Sequence, residues 1–155
     1  MRNLDCFAAE SFDIVHHPYS LNFVPDAVEV FRQVARILRK GGLYRFSCAN
    51  PFTMGMESNS WNGEGYVLKK AYFSDEEISY NDQKWVYDQD NHEPIPNPIE
   101  YRHRLSDLIN GLINSGFTIL SFLTRAICFP TKRRTIILGT FHYFYTALAE
   151  FLTKS

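Results

Sequence analysis

Phe12-Asp13-Ile14-Val15-His16-His17, then residues 25–40, then Gly41-Gly42-Leu43-Tyr44-Arg45-Phe46-Ser47 running on to Asn50-Pro51: the reading of this stretch decides the fold. Residues 11–17 read as a strand in which Phe12, Ile14 and Val15 are apolar on both faces, as in a central parallel strand covered on both sides. Pro18-Tyr19-Ser20 ends it. Pro25 suits the first position of a helix, and Asp26 and Glu29 lie where the helix dipole favours negative charge. Val24, Ala27, Val28, Phe31, Val34, Ala35 and Leu38 recur at steps of three and four, forming one apolar stripe, while Glu29, Arg32, Gln33, Arg36 and Lys40 make the wet face. Gly41 is expected to close the helix in the left-handed conformation, and Leu43 to Ala49 to follow as a second strand. A strand, a crossover helix and a strand form a right-handed unit, so the two strands are parallel. This is the second half of a nucleotide-type α/β domain. Only eleven residues precede Phe12, so the half that would hold a cofactor's phosphates or their equivalent is expected upstream.

Composition sets wide bounds. The 155 residues suffice for one domain, and 45% apolar with 21% charged residues supplies an ordinary core. A net charge of −1 without acidic or basic blocks leaves no electrostatic footprint for a nucleic-acid partner. Cys6, Cys48 and Cys128 are odd in number and far apart; they read as reduced thiols of a cytoplasmic protein, not as disulfides or metal ligands. The opening Met1-Arg2-Asn3-Leu4-Asp5 has no apolar segment of the secretory kind. Ile136 to Leu152 is apolar-rich but contains His142 and Glu150, which favours a buried terminal helix or strand over a membrane span.

Beyond Pro51 the pattern changes. Residues 51–99 carry Gly55, Gly63, Gly65, Pro94, Pro96 and Pro98 and read as an insertion. Inside it, residues 65–73 and 78–87 are expected to pair as a β-hairpin across the acidic turn Ser74-Asp75-Glu76-Glu77, with Asp88 to Pro98 as a loop. Leu105, Leu108, Ile109, Leu112 and Ile113 mark a second amphipathic helix ended by Ser115-Gly116, and Phe117 to Phe122 alternates as a third strand. In the tail, Ile137, Phe141, Phe144, Leu148 and Phe151 fit a helix, whereas Thr140 to Tyr145 would serve as a strand.

Phe12-Asp13-Ile14-Val15, the helix with Ala35-Arg36 and Leu38, and Lys40-Gly41-Gly42-Leu43 resemble the signature of class I S-adenosylmethionine-dependent methyltransferases that spans their fourth strand, fourth helix and fifth strand. Ile99-Glu100-Tyr101-Arg102-His103-Arg104-Leu105 with Ser115-Gly116-Phe117 is similar to the segment before the sixth strand in a bacterial branch of these enzymes. The resemblance covers most of residues 1–122. It implies an α/β fold: the C-terminal part of a Rossmann-like methyltransferase sheet, strands four to seven, in a single partial domain over residues 1–155, with residues 51–99 as insertion or lid. It further implies S-adenosylmethionine as cofactor and a small-molecule methyl acceptor.

The departures are as informative. The family's glycine-rich turn after its first strand and the acidic residue ending its second have no counterpart in this sequence, so most of the cofactor grip is expected to be missing from this chain. Met1-Arg2-Asn3-Leu4 resembles the residues after the adenine-contacting Asp, so Met1 reads as an internal methionine of a longer protein, and Met1 and Arg2 would line the adenine pocket. The glutamate of the family's fourth helix is Gln33 here, and the proline pair near the family's last strand is replaced by Ala147-Leu148-Ala149.

His16-His17-Pro18-Tyr19 sits at the carboxyl end of the first strand, where open α/β sheets bind ligands. By the resemblance His16 would touch the cofactor through its backbone, and His17 or Tyr19 would face the methyl group as catalytic candidates. Methyl transfer needs mainly alignment, with a base only where the acceptor carries a proton to lose. The alternative is that both histidines are packed strand-end residues. Adjacent strand side chains diverge, so the pair is a poor metal site. Asn50 is either a rim contact for substrate or a strand stop. Trp61, Tyr66, Tyr101, Arg102 and His103 form either an aromatic lid over a small apolar substrate or a small core for the insertion. Asp88 to Glu93 reads as a solvated turn, since a calcium loop would need a turn glycine. Two functions therefore stand: a small-molecule methyltransferase that acts when its domain is whole, or a non-catalytic remnant or pairing module. In the second, the unpaired edge of the first strand invites self-association.

Overall fold

The computed structural model describes residues 2–54, 62–65, 67, 71–79, 96–126 and 146–154. Strands β1 (Phe12–His17) and β2 (Leu38–Phe46) flank helix α1 (Ala27–Ile37), and a short 3-10 turn (Leu21–Phe23) precedes that helix. The two-residue strands β3 (Ile78–Ser79) and β4 (Ile99–Glu100), helix α2 (Leu105–Asn114), and strands β5 (Phe117–Ala126) and β6 (Thr146–Lys154) follow. The main sheet has the order β1-β2-β6-β5; β1 and β2 run parallel, and β6 is antiparallel to both neighbours.

The apolar stripe of α1 buries Ala27, Val30, Phe31, Val34 and Ala35 against Tyr44, Phe46 and Phe117 of the sheet. Asp26 caps the helix, its Oδ1 accepting the Glu29 N–H at 3.0 Å. Helix α2 lies beside α1 on the same sheet face and contributes Leu108 and Leu112 to the core. The two helices approach closely at Gly111, where a Cβ would come within 3.1 Å of Phe31 and Val28. Gly116, with φ 86°, turns the chain from α2 into β5, as its place in the sequence predicts.

Gly41 does not cap α1. The helix ends at Ile37, and its last carbonyls are satisfied by the segment before β1: Glu10 N–H donates to Arg36 O at 3.0 Å and Ser11 N–H to Ile37 O at 2.8 Å. The chain passes directly into β2 at Leu38, five residues earlier than the expected start at Leu43, and the strand ends at Phe46 instead of Ala49. Phe12 pairs with Leu38 and Ile14 with Leu43, so a step of two on β1 meets a step of five on β2, and three residues are extra. Gly41 (φ 76°) bends the chain through this bulge. Gly42 packs against its partner so closely that a Cβ would meet Leu38 Cδ2 at 2.6 Å, Arg39 O at 2.8 Å and Asp13 O at 3.0 Å.

Three further expectations are corrected. Among the described residues β1 is covered on one face only: Ile14 is 64% exposed on the face away from the helices. Ile78–Ser79 pairs with Ile99–Glu100, so Ile99 belongs to a strand and not to the loop that ends the insertion. The end of the tail is a strand, not a helix: β6 inserts between β2 and β5. The hairpin arms around Tyr66 and residues 80–87, the loop from Asp88, Cys128 and residues 127–145 lie outside the described residues. Among the described residues no helix is long and apolar enough to cross a membrane, and Cys6 and Cys48 are free thiols.

Candidate functional site at the carboxyl rim of β1 and β2

The parallel pair ends at His17 opposite Phe46. Alternation along β1 turns Val15 and His17 toward the helices and leaves Ile14 and His16 exposed on the other face. His17 is only 6% exposed. Its Nδ1 lies 3.0 Å from the Tyr44 hydroxyl, and the two rings stack with centroids 6.4 Å apart. Its Nε2 is buried and has no hydrogen-bond partner among the described residues. Burial holds its pKa below the usual 6.5, and the charge of His16 acts in the same direction. His16 and His17 thus stand on opposite faces of one strand end.

The next residues fasten the rim. Tyr19 has φ 52°, rare for a residue with a side chain, and its N–H donates to Ser47 Oγ at 3.0 Å. Asn22 is buried in the 3-10 turn. Its Oδ1 accepts the Ala49 N–H at 3.0 Å, and its backbone carbonyl accepts the Tyr101 N–H at 2.7 Å. One residue therefore ties the end of β1, the end of β2 and the strap before α2. Its Nδ2 is buried without a partner among the described residues. Asn50 opens a turn four residues after β2 ends: its Oδ1 accepts the Phe52 N–H at 3.0 Å and its carbonyl those of Thr53 and Met54 at 3.1 and 2.9 Å.

The segment Tyr101-Arg102-His103-Arg104 is a strap whose polar atoms are largely spent on the fold. Tyr101 donates its hydroxyl hydrogen to Glu77 Oε1 at 3.0 Å; that bond raises the phenol pKa, and the charge of Arg2 partly opposes the effect. Arg102 donates to the carbonyls of Met54 (2.5 Å) and Ala71 (2.6 Å). His103 Nε2 donates to Leu21 O at 3.0 Å, and burial lowers its pKa more than its backbone bonds raise it. Arg104 pairs with Asp75 and donates to Phe73 O at 3.2 Å. Met54 and residues 71–77 of the insertion are thereby bound to the strap, with Phe52 stacked on Tyr72 at 4.8 Å.

His16 and His17 thus stand at the end of β1, Tyr19 is tied by its backbone to Ser47, and Asn50 follows the end of β2. Met1, Trp61 and Tyr66 lie outside the described residues. Tyr44, Asn22 and Ser47 were not foreseen. For Asn22 the signal is a polar group within an apolar run, Leu21-Asn22-Phe23-Val24. Gln33 and Arg36, expected on a wet face, instead hold the segment before β1: Gln33 Oε1 accepts the Leu4 N–H at 3.3 Å, and Arg36 donates to Leu4 O and Phe7 O at 2.7 and 3.0 Å. No group of three metal-ligating side chains occurs among the described residues.

Residues 1–46 match the family model of the methyltransferase domain. An uncharacterized methyltransferase of Bacillus subtilis is 27% identical over 124 residues, which cover 79% of this chain and 46% of that protein. Among solved structures, an S-adenosylmethionine-dependent methyltransferase of Mesorhizobium loti superposes with a TM-score of 0.65 at 20% identity, over 96% of this chain and 64% of the other. One of Clostridium acetobutylicum gives 0.61 at 16% identity, over 99% and 62%. The chain thus spans about half the length of the curated relative and under two thirds of these structures.

Proposed function

From the premise that this chain has the fold of class I S-adenosylmethionine-dependent methyltransferases, we propose that it forms the acceptor-side part of a small-molecule methyltransferase site. In this reading β1, β2, β5 and β6 are the fourth, fifth, sixth and seventh strands of that fold. The order β1-β2-β6-β5, with one antiparallel strand inserted before the edge, supports the assignment.

The observation that carries the function is the pair of buried polar atoms at the rim, His17 Nε2 and Asn22 Nδ2, without partners among the described residues. Buried polar groups in folded proteins are nearly always hydrogen-bonded, so two at the ligand-binding end of a parallel pair fit a bound molecule with acceptor atoms. The cofactor would supply the methyl group. Arg2 and the exposed His16 would border it, together with Met1. His17 and Tyr19 would orient the acceptor beside it, and Asn50, Tyr101, His103, Trp61 and Tyr66 would bound the substrate space under a lid formed by residues 51–99. Tyr101 and His103 would act there through their exposed ring surface, since their polar atoms are engaged. In this reading the cofactor is S-adenosylmethionine and the setting cytoplasmic.

The test is chemical-shift mapping of the 155-residue chain titrated with S-adenosylmethionine. Shifts concentrated at Arg2, His16, His17 and Tyr19 support the reading. A silent titration, or shifts centred on the α1–α2 face, sinks it.

A second reading, a module that pairs through its sheet edge, is favoured by one observation: among the described residues β1 stands at the end of the sheet order. Uncovered apolar strand edges associate. Sedimentation showing a monomer at all accessible concentrations would remove it.

A further inference from the structure

We infer that Tyr44 is a positioning residue that fixes His17 as an Nε2–H hydrogen-bond donor, so that the rim takes a molecule presenting an acceptor oxygen rather than an amine with a proton to lose. The inference rests on the proposed placement of the acceptor site at this rim.

The Tyr44 ring is immobile for a structural reason. It is fully buried, lies opposite Val15 in the ladder, and packs against Phe31, Phe46 and Phe117 with centroids 6.3, 5.3 and 5.6 Å away. The core therefore sets where its hydroxyl stands, and that place is 3.0 Å from His17 Nδ1. Of the two possible directions for this bond, the phenol is the better acid and the imidazole nitrogen the better base, so Tyr44 O–H donates to Nδ1. A neutral imidazole carries one hydrogen, and with Nδ1 occupied as acceptor that hydrogen sits on Nε2. His17 is nine-tenths buried, and Nε2 faces no acceptor among the described residues.

This outcome differs from that expected of a catalytic base. A base would need its free lone pair toward the substrate, whereas here the lone pair is bound to Tyr44. His17 then recognises a carbonyl, carboxylate or phenolate oxygen, and deprotonation of the acceptor is not its work.

The test is long-range proton–nitrogen NMR of the intact chain with labelled histidine at neutral pH. The expected result is a single His17 tautomer, protonated on Nε2, whose Nε2 resonance moves on addition of benzoate and not of benzylamine. In Tyr44→Phe the tautomers mix. A proton on Nδ1, an unchanged tautomer ratio in Tyr44→Phe, or a response to the amine but not to benzoate overturns the inference. The wild-type tautomer decides the matter even where the variant does not fold. Failure of the underlying site placement shows separately, as a silent S-adenosylmethionine titration with the Nε2–H tautomer intact.

Discussion

The side-chain carbonyl of Asn22 accepts the backbone N–H of Ala49 at 3.0 Å, joining the turn after β1 to the chain leaving β2. Because the Asn22 backbone carbonyl also holds Tyr101 N–H, this residue sets the separation of the three segments that shape the rim.

Replacing Asn22 by Ala leaves the half-buried Ala49 N–H without its acceptor and opens a small void. Such a loss costs about 1–3 kcal/mol. Urea unfolding should report that decrease in Asn22→Ala; a change within about 0.5 kcal/mol, the range of neutral surface changes, would contradict the clamp.

The two glycines of the bulge differ in kind. At Gly41 there is open space and only the positive φ resists a side chain, at about 1–2 kcal/mol. At Gly42 a Cβ would collide with the backbone carbonyls of Arg39 and Asp13, and overpacking of this kind costs about 1–3 kcal/mol or more. Thermal melts should therefore rank Gly42→Ala below Gly41→Ala. The reverse order would mean that the bulge relaxes around Gly42.

Burial depresses the pKa of both His17 and His103 below 6.5. The unfolded chain then binds more protons than the folded one at pH just below 6.5, so stability rises with pH in that window. As pH falls from 6.5 toward the depressed folded values, stability is lost, with a slope of at most about 1.4 kcal/mol per pH unit for each histidine. Urea midpoints between pH 7.5 and 5.5 check this, and His17→Gln should flatten part of the slope. Stability that stays level or increases on acidification would refute the buried neutral state.

Arg102 spans two carbonyls, Met54 O and Ala71 O, which one planar guanidinium reaches and a single ammonium does not. Arg102→Ala should loosen the insertion from the strap, which Tyr101 and Arg104 still hold, and Arg102→Lys should not restore it. With charge-assisted bonds worth about 1.5–3 kcal/mol, limited proteolysis within residues 62–79 should quicken about tenfold. Equal cleavage in wild type and variant would mean that other contacts hold the segment.

Much of the fold was legible because its signals are local. The three- and four-residue spacing of Ala27, Phe31 and Val34 marked α1, Ser115-Gly116 marked the end of α2, and the run from Phe117 marked β5. Position along the chain put forward His16, His17 and Tyr19 as site candidates, because the carboxyl end of a parallel strand is where open α/β sheets bind ligands. The role of each was not legible. Nothing in His16-His17 tells which ring turns inward, since that depends on which face the helices cover.

The sequence by itself determined the βαβ unit, its hand, and the buried stripe of α1, because side-chain period and turn chemistry act over a few residues. Only the tertiary structure decided the rest. Gly41 became a bulge because Glu10 and Ser11 had already taken the last carbonyls of α1. Residues 146–154 became a strand because β2 and β5 stood apart with unpaired edges, and a ladder hydrogen bond is satisfied only by a partner that may lie a hundred residues away. Tyr44 came to hold His17 for the same reason: parallel register sets residues 27 apart on one face, 3.0 Å from ring nitrogen to hydroxyl.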